Sequence, residues 1–271
     1  MPDPRRAPVT VPKIRAAKVR DGHEPLVMVT AYDAPGARIA DAAGVDLILV
    51  GDSVANVVLG YEDTLQVTIG DMAHHVAAVA RSRPGALVVG DLPWMSYHVD
   101  VADTVRNAAT LIRAGAQCVK LEGGAVRAPM VEALVRAEIP VMGHIGLTPQ
   151  SVNTFGGFRV QARDDEAARL LVEGAETLVA AGIFAVVVEA VPEKVGAAVT
   201  HALDVPTIGI GAGPHCDGQV LVMHDLLGIT VTTAKFVRRY AELGDEATAA
   251  VAAYAADVRS GAFPADAEVY H

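Results

Sequence analysis

Short apolar runs alternate with longer segments of helical periodicity along most of the chain, and this alternation limits its possible folds more than any other feature. Seven runs are clearly apolar and an eighth is weaker; they cover residues 26–30, 46–50, 86–90, 118–122, 141–144, 185–189, 206–210 and, weakest, 227–230. The segments between them have the apolar spacing of amphipathic helices, at residues 34–43, 69–82, 101–114, 126–137, 165–181 and 194–202. The pattern predicts strands and helices in strict alternation, which is typical of a parallel α/β protein.

Seven or eight such units in about 250 residues match a (β/α)8 barrel, although a doubly wound sheet alternates in the same way. Aromatic residues make up only 4% of the 271 residues, whereas 52% are hydrophobic, which suits aliphatic strands covered on both faces. Because no linker or shift in composition interrupts the pattern, we predict a single domain over 1–271. Its core would span about 24–240, with an N-terminal helix over about 10–21, capped by Thr10, and a C-terminal helix over about 245–260.

The charge, the apolar stretches and the cysteines of the chain exclude several classes of partner. A net charge of −10 argues against nucleic acid, which requires a basic face. The longest apolar stretch, 178–188, is too short for a membrane helix, and the N-terminus has no secretory signal. The two cysteines, Cys118 and Cys216, form no disulfide framework and are expected to be buried thiols of a cytoplasmic protein. The basic residues near the N-terminus are expected to form a solvated helix face; they are Arg5, Arg6, Lys13, Arg15, Lys18 and Arg20.

Five consecutive predicted strands end in an acid or a histidine: Asp52, Asp91, Glu122, His144 and Glu189. Parallel α/β proteins bind ligands at the carboxyl ends of their strands. In a barrel these ends converge on one mouth, whereas in an open sheet they spread along an edge. The succession of acids therefore favours the barrel.

The residue types at these ends indicate a metal-assisted reaction. Asp52, Asp91 and Glu122 supply hard oxygen ligands, which suit Mg²⁺ or Mn²⁺. Lys120 shares a strand face with Glu122 and would either pair with carboxylates or bind an anion. Glu189 follows three valines and suits a general base, whereas His144 could bond to substrate or to protein.

These residues permit enolate chemistry on a small 2-oxo acid. A divalent cation chelated by such an acid acidifies the neighbouring C–H, and a buried carboxylate can then remove the proton. The resulting enolate forms or breaks a carbon–carbon bond. The polar, glycine-rich stretch 146–163 is long for a connection in a compact domain, and we expect a lid or binding loop there.

An ordered set of motifs resembles the ketopantoate hydroxymethyltransferase family over residues 10–264. The most specific run is Gly-His-Ile-Gly-Leu-Thr-Pro-Gln-Ser at 143–151. The others include Val-Gly-Asp-Ser at 50–53, Asp-Leu-Pro at 91–93, Val-Lys-Leu-Glu-Gly-Gly at 119–124, Val-Glu at 188–189 and Ile-Gly-Ile-Gly-Ala-Gly at 208–213.

The resemblance implies a (β/α)8 TIM barrel of the phosphoenolpyruvate/pyruvate superfamily, acting in pantothenate biosynthesis. It would transfer a hydroxymethyl group from 5,10-methylenetetrahydrofolate to 3-methyl-2-oxobutanoate, giving 2-dehydropantoate. It further implies one Mg²⁺ per subunit and a homo-oligomer, often a decamer.

The resemblance also assigns site roles. Asp52 and Asp91 look like Mg²⁺ ligands that also contact substrate, and Glu122 like the third acid at the metal. Ser53 and Lys120 resemble the groups that hold the keto-acid carboxylate. His144 matches a substrate-pocket histidine. Glu189, finally, resembles the proton acceptor.

Two other functions stay open at this stage. One is a metal-dependent 2-oxo-acid lyase or mutase of the same superfamily, although the Lys-Lys-Cys-Gly loop of those enzymes is absent from the sequence. The other is a non-catalytic barrel that binds a keto acid or folate. Formation of product from folate would discriminate among the three.

Overall fold

Eight parallel strands form a closed barrel in the computed structural model, which describes residues 7–231 and 234–271. Each strand pairs with the next in sequence, and the last pairs with the first. The strands are β1 (Leu26–Thr30), β2 (Leu47–Val50), β3 (Leu87–Asp91), β4 (Cys118–Glu122), β5 (Val141–Gly146), β6 (Ala185–Glu189), β7 (Thr207–Ile210) and β8 (Gly218–Leu221). The barrel prediction is therefore confirmed, and the doubly wound alternative is excluded.

Helices follow most strands, as the alternation predicts. They are α1 (Val11–Arg15), α2 (Ala34–Ala42), α3 (Val54–Val57), α4 (Ile69–Ala80), α5 (Val101–Ala114), α6 (Ala128–Arg136), α7 (Val152–Phe155), α8 (Asp165–Ala181), α9 (Glu193–Ala202), α10 (Met223–Leu226) and α11 (Leu243–Ser260). Gly115 and Gly182 end α5 and α8 in the left-handed conformation, as helix C-caps require. No helix in the described ranges has the length and apolarity needed to cross a membrane.

The described chain divides into two compact units, one up to Val222 and one from Met223 onward. The first contains the whole barrel and the second contains α10 and α11. The prediction of a single domain does not distinguish these units, and it stays a prediction.

The N-terminal segment of the first unit belongs to the core. Val9 and Ile14, each 1% exposed, join a cluster with strand residues such as Met28, Leu47 and Met142. Thr10 caps α1 by accepting a hydrogen bond from the Lys13 N–H, as predicted. The apolar side of this segment thus packs against the residues that fill the barrel.

The predicted helix over 10–21 is wrong in its extent, because α1 ends at Arg15 and a separate 3₁₀ turn covers Val19–Asp21. Lys18, between the two, is buried and not part of a solvated face. Its Nζ lies 2.7 Å from Asp217 Oδ2 and donates to the Thr200 carbonyl oxygen at 2.9 Å. A buried ammonium group requires such partners, and they come from distant segments that the local pattern does not show. Arg5 and Arg6 lie outside the described residues.

The prediction of the eighth strand at 227–230 is also wrong. The strand that closes the barrel is β8, at Gly218–Leu221, so the barrel strands end before the predicted limit of about residue 240. A four-residue strand that contains Gly218 and an exposed Gln219 has little apolar signal. Gly218 is nevertheless required, because a Cβ there would lie 2.5 Å from the Leu26 carbonyl oxygen.

Candidate active site

The barrel brings all seven predicted site residues to one cavity at the carboxyl ends of its strands. The cavity has a volume of about 110 Å³, and its lining includes Asp52, Ser53, Asp91, Lys120, Glu122, His144 and Glu189. The strand register sets their neighbours: Lys120 pairs with Asp91, and Glu122 pairs with His144. The convergence expected of a barrel mouth is therefore present.

Lys120 is the buried cation between the acids of neighbouring strands. Its Nζ lies 2.6 Å from Asp91 Oδ1 and 3.8 Å from Glu122 Oε1. Burial alone would lower the pKa of Lys120, but the charges of Asp91, Glu122 and Asp52 outweigh burial and raise it. The side chain is therefore a fixed positive charge, and the carboxylate pairing considered from the sequence is present.

His144 lies between two carboxylates. Its Nδ1 is 3.2 Å from Glu122 Oε1, and its Nε2 is 3.1 Å from Glu189 Oε2. Burial and the charge of Lys120 lower the pKa of His144, but Glu122 and Glu189 outweigh them and raise it to about 9. The imidazolium can direct one N–H toward each acid. The neighbours of Glu189 in sequence do not indicate this basic partner.

Asp52 and Asp91 form a close acidic pair. The Asp52 backbone N–H donates to Asp91 Oδ2 at 3.1 Å, and both side chains are buried. Burial, followed by repulsion from Asp91 and Glu122, raises the pKa of Asp52 well above its usual value. Such a pair is stabilised as two carboxylates only by additional positive charge.

The mouth has the charge and ligand chemistry of a magnesium site. When ionised, Asp52, Asp91, Glu122 and Glu189 carry two more negative charges than Lys120 and His144 balance, and a divalent cation would offset that excess. Mg²⁺ is usually held by one or two carboxylates together with water and substrate oxygens.

The acids of the mouth do not form a compact three-ligand group in the described part of the chain. Within residues 7–231 and 234–271, no three or more His, Cys, Asp or Glu side chains form a group that could hold a metal ion. Asp52 and Asp91 stay predicted ligands, and the hydrogen bond from the Asp52 N–H to Asp91 Oδ2, which holds the two acids side by side, is the observation in favour of that prediction. Glu122 faces His144 and accepts a hydrogen bond from the Gln150 N–H at 3.0 Å, so its role as the third acid stays a prediction.

Two residues that the sequence analysis did not select connect the acids. Gln150 Nε2 donates to Asp52 Oδ2 at 2.9 Å, while the Gln150 backbone N–H binds Glu122. The Tyr97 hydroxyl donates to Gln150 Oε1 at 2.6 Å and accepts from the Glu122 N–H at 3.2 Å. Gln150 lies in the motif at 143–151, which is its only signal in the sequence, whereas Tyr97 has none.

Ser53 lies at the rim of the mouth, where α3 begins. Its hydroxyl lies 2.8 Å from the Tyr32 hydroxyl, and the Tyr32 carbonyl oxygen is 2.8 Å from His75 Nδ1. Tyr32 is therefore a second residue that the sequence analysis missed beside a predicted site residue. It holds the serine hydroxyl in place from β1's side of the mouth.

The cysteines are buried and free, as expected, and neither lines the mouth. Burial raises the pKa of the Cys118 thiol, which makes it unreactive. The predicted long loop carries a 3₁₀ turn at Pro149–Ser151 and then α7. It brings Gln150 and Pro149 to the site.

Solved structures share this fold. 2,3-Dimethylmalate lyase, a member of the PEP mutase/isocitrate lyase superfamily, aligns with 96% of this chain and 91% of its own at a TM-score of 0.61 and 17% identity. Phosphonopyruvate hydrolase in complex with oxalate and Mg²⁺ aligns with 97% of this chain and 92% of its own at a TM-score of 0.60 and 13% identity. At these identities the likeness concerns the fold alone, and it agrees with the (β/α)8 barrel.

Sequence relatives are much closer. A protein named 3-methyl-2-oxobutanoate hydroxymethyltransferase from Methylobacterium sp. (strain 4-46) is 56% identical, covering 96% of this chain and 90% of the relative. One of the same name from Pyrobaculum calidifontis is also 56% identical, covering 90% of this chain and 92% of the relative. The model of the ketopantoate hydroxymethyltransferase family matches residues 8–266. The chain therefore belongs to the ketopantoate hydroxymethyltransferase family.

Proposed function

We propose that the protein transfers a hydroxymethyl group from 5,10-methylenetetrahydrofolate to 3-methyl-2-oxobutanoate, forming 2-dehydropantoate for pantothenate biosynthesis. Family membership supports the reaction, and the observation that carries it is the set of four acids, one lysine and one histidine around a single cavity. The cavity of about 110 Å³ is sized for a small acid.

Asp52 and Asp91 are the residues that would hold Mg²⁺, with Glu122 as the third acid. When bound, the ion withdraws electron density from the keto carbonyl and so acidifies the C3–H bond. Gln150 keeps Asp52 Oδ2 engaged through its amide N–H, so the other oxygen of Asp52 is the one left to face a cation.

Glu189 is the proposed base. One of its carboxylate oxygens takes the C3 proton, and the electron pair left on C3 attacks the donor carbon. The two bonds from that carbon to the folate nitrogens break as its bonds to C3 and to a water oxygen form, and the two nitrogens take up the proton from Glu189 and one proton of the water. His144, at 3.1 Å from Glu189 Oε2, orients the base.

Lys120 and Ser53 are proposed to hold the carboxylate of the keto acid. Lys120 Nζ has three N–H donors, and Asp91 engages one of them. The Ser53 hydroxyl is fixed by Tyr32 and is not fully buried. Both can therefore donate to a substrate anion.

We also propose a homo-oligomer, with the decamer as the form that the family resemblance favours. The 18-residue α11 has no buried residue, although it displays Val251, Tyr254 and Val258. A helix in a protein gains most of its stability from packing against other elements. A second copy of the chain is therefore the expected partner of α11. The cytoplasm is the proposed compartment, in keeping with two free cysteines.

An assay of 2-dehydropantoate formation tests the function. We expect product only when keto acid, methylenetetrahydrofolate and Mg²⁺ are all present, with activity lost on chelation and regained when Mg²⁺ is added in excess. Full activity in metal-stripped protein would contradict the metal assignment. If no product forms under any condition while the keto acid still binds, the protein is instead the non-catalytic, ligand-binding barrel considered from the sequence.

A further inference from the structure

A second and larger cavity adjoins the mouth. It has a volume of about 490 Å³ and lies beside the ends of β4 and β5, under α8; we call it the lateral pocket. Its lining includes Tyr97, Glu122, Gly123, Arg127, Gly146 and Thr177. Glu122 lines both the lateral pocket and the mouth, so the two cavities share a wall at the reacting centre.

The guanidinium of Arg127 makes no hydrogen bond or ion pair in the described part of the chain. Its Nε is buried and makes no hydrogen bond, and no carboxylate lies within ion-pair distance. The group is held over the Tyr97 ring, 5.2 Å from the centroid, which fixes its position. Because burying an unpaired donor is costly, these N–H groups are suited to an oxygen acceptor on a ligand.

The glycines of the wall are required by close contacts. A Cβ at Gly123, whose φ is +120°, would lie 2.9 Å from Arg127 Cγ. A Cβ at Gly146, whose φ is +91°, would lie 2.2 Å from the Glu189 carbonyl oxygen. The wall therefore carries no side chain at these two positions, and the Tyr97 and His98 rings, with centroids 4.2 Å apart and planes 40° apart, add aromatic surface.

We propose that the lateral pocket binds the one-carbon donor, a reduced folate, and that Arg127 donates hydrogen bonds to one of its oxygens. This inference rests on the proposed function. A pterin is a flat heterocycle with polar edges, which matches the aromatic surface and the hydroxyl of Thr177. The donor carbon must reach C3 of the keto acid, and Glu122, which lines both cavities, places the lateral pocket next to the mouth.

The sizes of the two cavities support placing the keto acid in the mouth and the folate in the lateral pocket. The mouth, at about 110 Å³, lies below the ~300–1,000 Å³ range of cavities that hold ligands of drug size, which is little space for a folate. The lateral pocket, at about 490 Å³, falls in the ~300–1,000 Å³ range of ligand sites. Each cavity thus matches one of the two substrates.

The test separates folate binding from keto-acid activation. In Arg127→Gln, we expect tetrahydrofolate, titrated by calorimetry in the presence of keto acid, to bind about tenfold to a hundredfold more weakly. Exchange of the C3 proton of the keto acid in D₂O, measured without folate, should stay within about twofold of wild type. The control is Arg136→Gln, since Arg136 is an exposed arginine on α6 and should change neither quantity.

A second variant tests the pocket at a position other than Arg127. Thr177 is an exposed residue of α8 at the pocket, so Thr177→Trp adds bulk with little risk to the core. We expect it also to weaken folate binding and to spare exchange. Normal folate binding in both variants would contradict the assignment of the lateral pocket as the folate site. If the wild-type protein neither binds folate nor forms product, the proposed function fails and the site fails with it.

Discussion

At the scale of single residues, Gln150 links two of the acids that we propose for the metal site. It binds Asp52 through its side chain and Glu122 through its backbone, and Tyr97 fixes which end of the amide faces Asp52. The Tyr97 hydroxyl donates to the amide oxygen, while the amide nitrogen donates to Asp52 Oδ2 and to the Leu92 carbonyl oxygen, which are acceptors only. Such partners of ligating carboxylates set the orientation of the metal site.

We therefore predict that Gln150→Leu weakens Mg²⁺ binding by roughly tenfold to a hundredfold, because the Asp52 carboxylate loses its orienting donor. Tyr97→Phe should have a smaller effect in the same direction, since it removes the donor to Gln150 Oε1 but leaves Nε2 bonded to Asp52 Oδ2 and to the Leu92 carbonyl oxygen. Isothermal titration with Mg²⁺, or electron paramagnetic resonance with Mn²⁺, measures both. Unchanged affinity in Gln150→Leu would show that the link does not orient Asp52.

His98 offers a pH test outside the acidic cluster. Burial, followed by the charge of Arg127, lowers the pKa of His98 to about 4, and its Nδ1 accepts a hydrogen bond from the Met95 N–H. The neutral ring is thus favoured in the folded protein. Because an unfolded histidine titrates near ~6.5, its contribution to stability is complete above that pH and is lost as the pH falls toward 4.

We predict that His98 stays neutral in a histidine NMR titration from pH 8 to 5, with its signal assigned by His98→Gln. Arg127→Gln should raise the pKa, because it removes one of the two causes of the shift. A titration midpoint near ~6.5 in the wild-type protein would contradict this account of the ring's surroundings.

At the scale of elements, the N-terminal segment is anchored by one buried ion pair. Asp217 accepts from Lys18 Nζ, from the Val19 N–H and from the Thr207 N–H, so it joins the segment to β7 just ahead of β8. Removing one partner of such a pair leaves an uncompensated buried charge.

We predict that Lys18→Met lowers the free energy of unfolding by about 3–5 kcal/mol, and that Lys18→Met with Asp217→Asn recovers part of the loss. Arg20→Met is the matched control. It removes an exposed pair with Asp204, whose side chains are 42% and 89% accessible, and should cost at most about 1 kcal/mol. Denaturant unfolding gives all three values, and equal losses at Lys18 and Arg20 would contradict the anchoring role.

The sequence predicts elements where the pattern is local and fails where partners are distant. Seven strands could be found because Val, Leu and Ile runs mark doubly covered strands. β8 could not, since Gly218 and Gln219 conceal a strand that exists through pairing with β1. The burial of Lys18 depends on Asp217, which is 199 positions away in the sequence.

The residues of the candidate site fall into the same two groups, those that a local pattern predicts and those that it does not. Acids at strand ends can be predicted because each follows an apolar run and barrel topology brings the ends together. Gln150 and Tyr97 come from loops, and only the folded chain brings them to Asp52 and Glu122. The charge state of His144 likewise depends on carboxylates from two neighbouring strands.

At the scale of the whole molecule, the barrel separates two tasks in adjacent cavities. The mouth collects the charged groups for activating a small acid, and the larger lateral pocket supplies aromatic surface and an unpaired guanidinium. Part of the excess of acidic over basic residues in the chain lies in this mouth. The central claim is that these charges serve to remove a proton from C3 of 3-methyl-2-oxobutanoate, with Glu189 as the base.

Proton exchange at C3 tests that claim most directly. The exchange of 3-methyl-2-oxobutanoate in D₂O is followed by ¹H NMR with wild type and with Glu189→Gln, at saturating Mg²⁺ and without folate. Keto-acid affinity is measured in parallel to show that the site is intact. We predict that wild type catalyses exchange and that Glu189→Gln binds the keto acid but loses exchange by at least about a hundredfold. Near-normal exchange in Glu189→Gln would contradict the account.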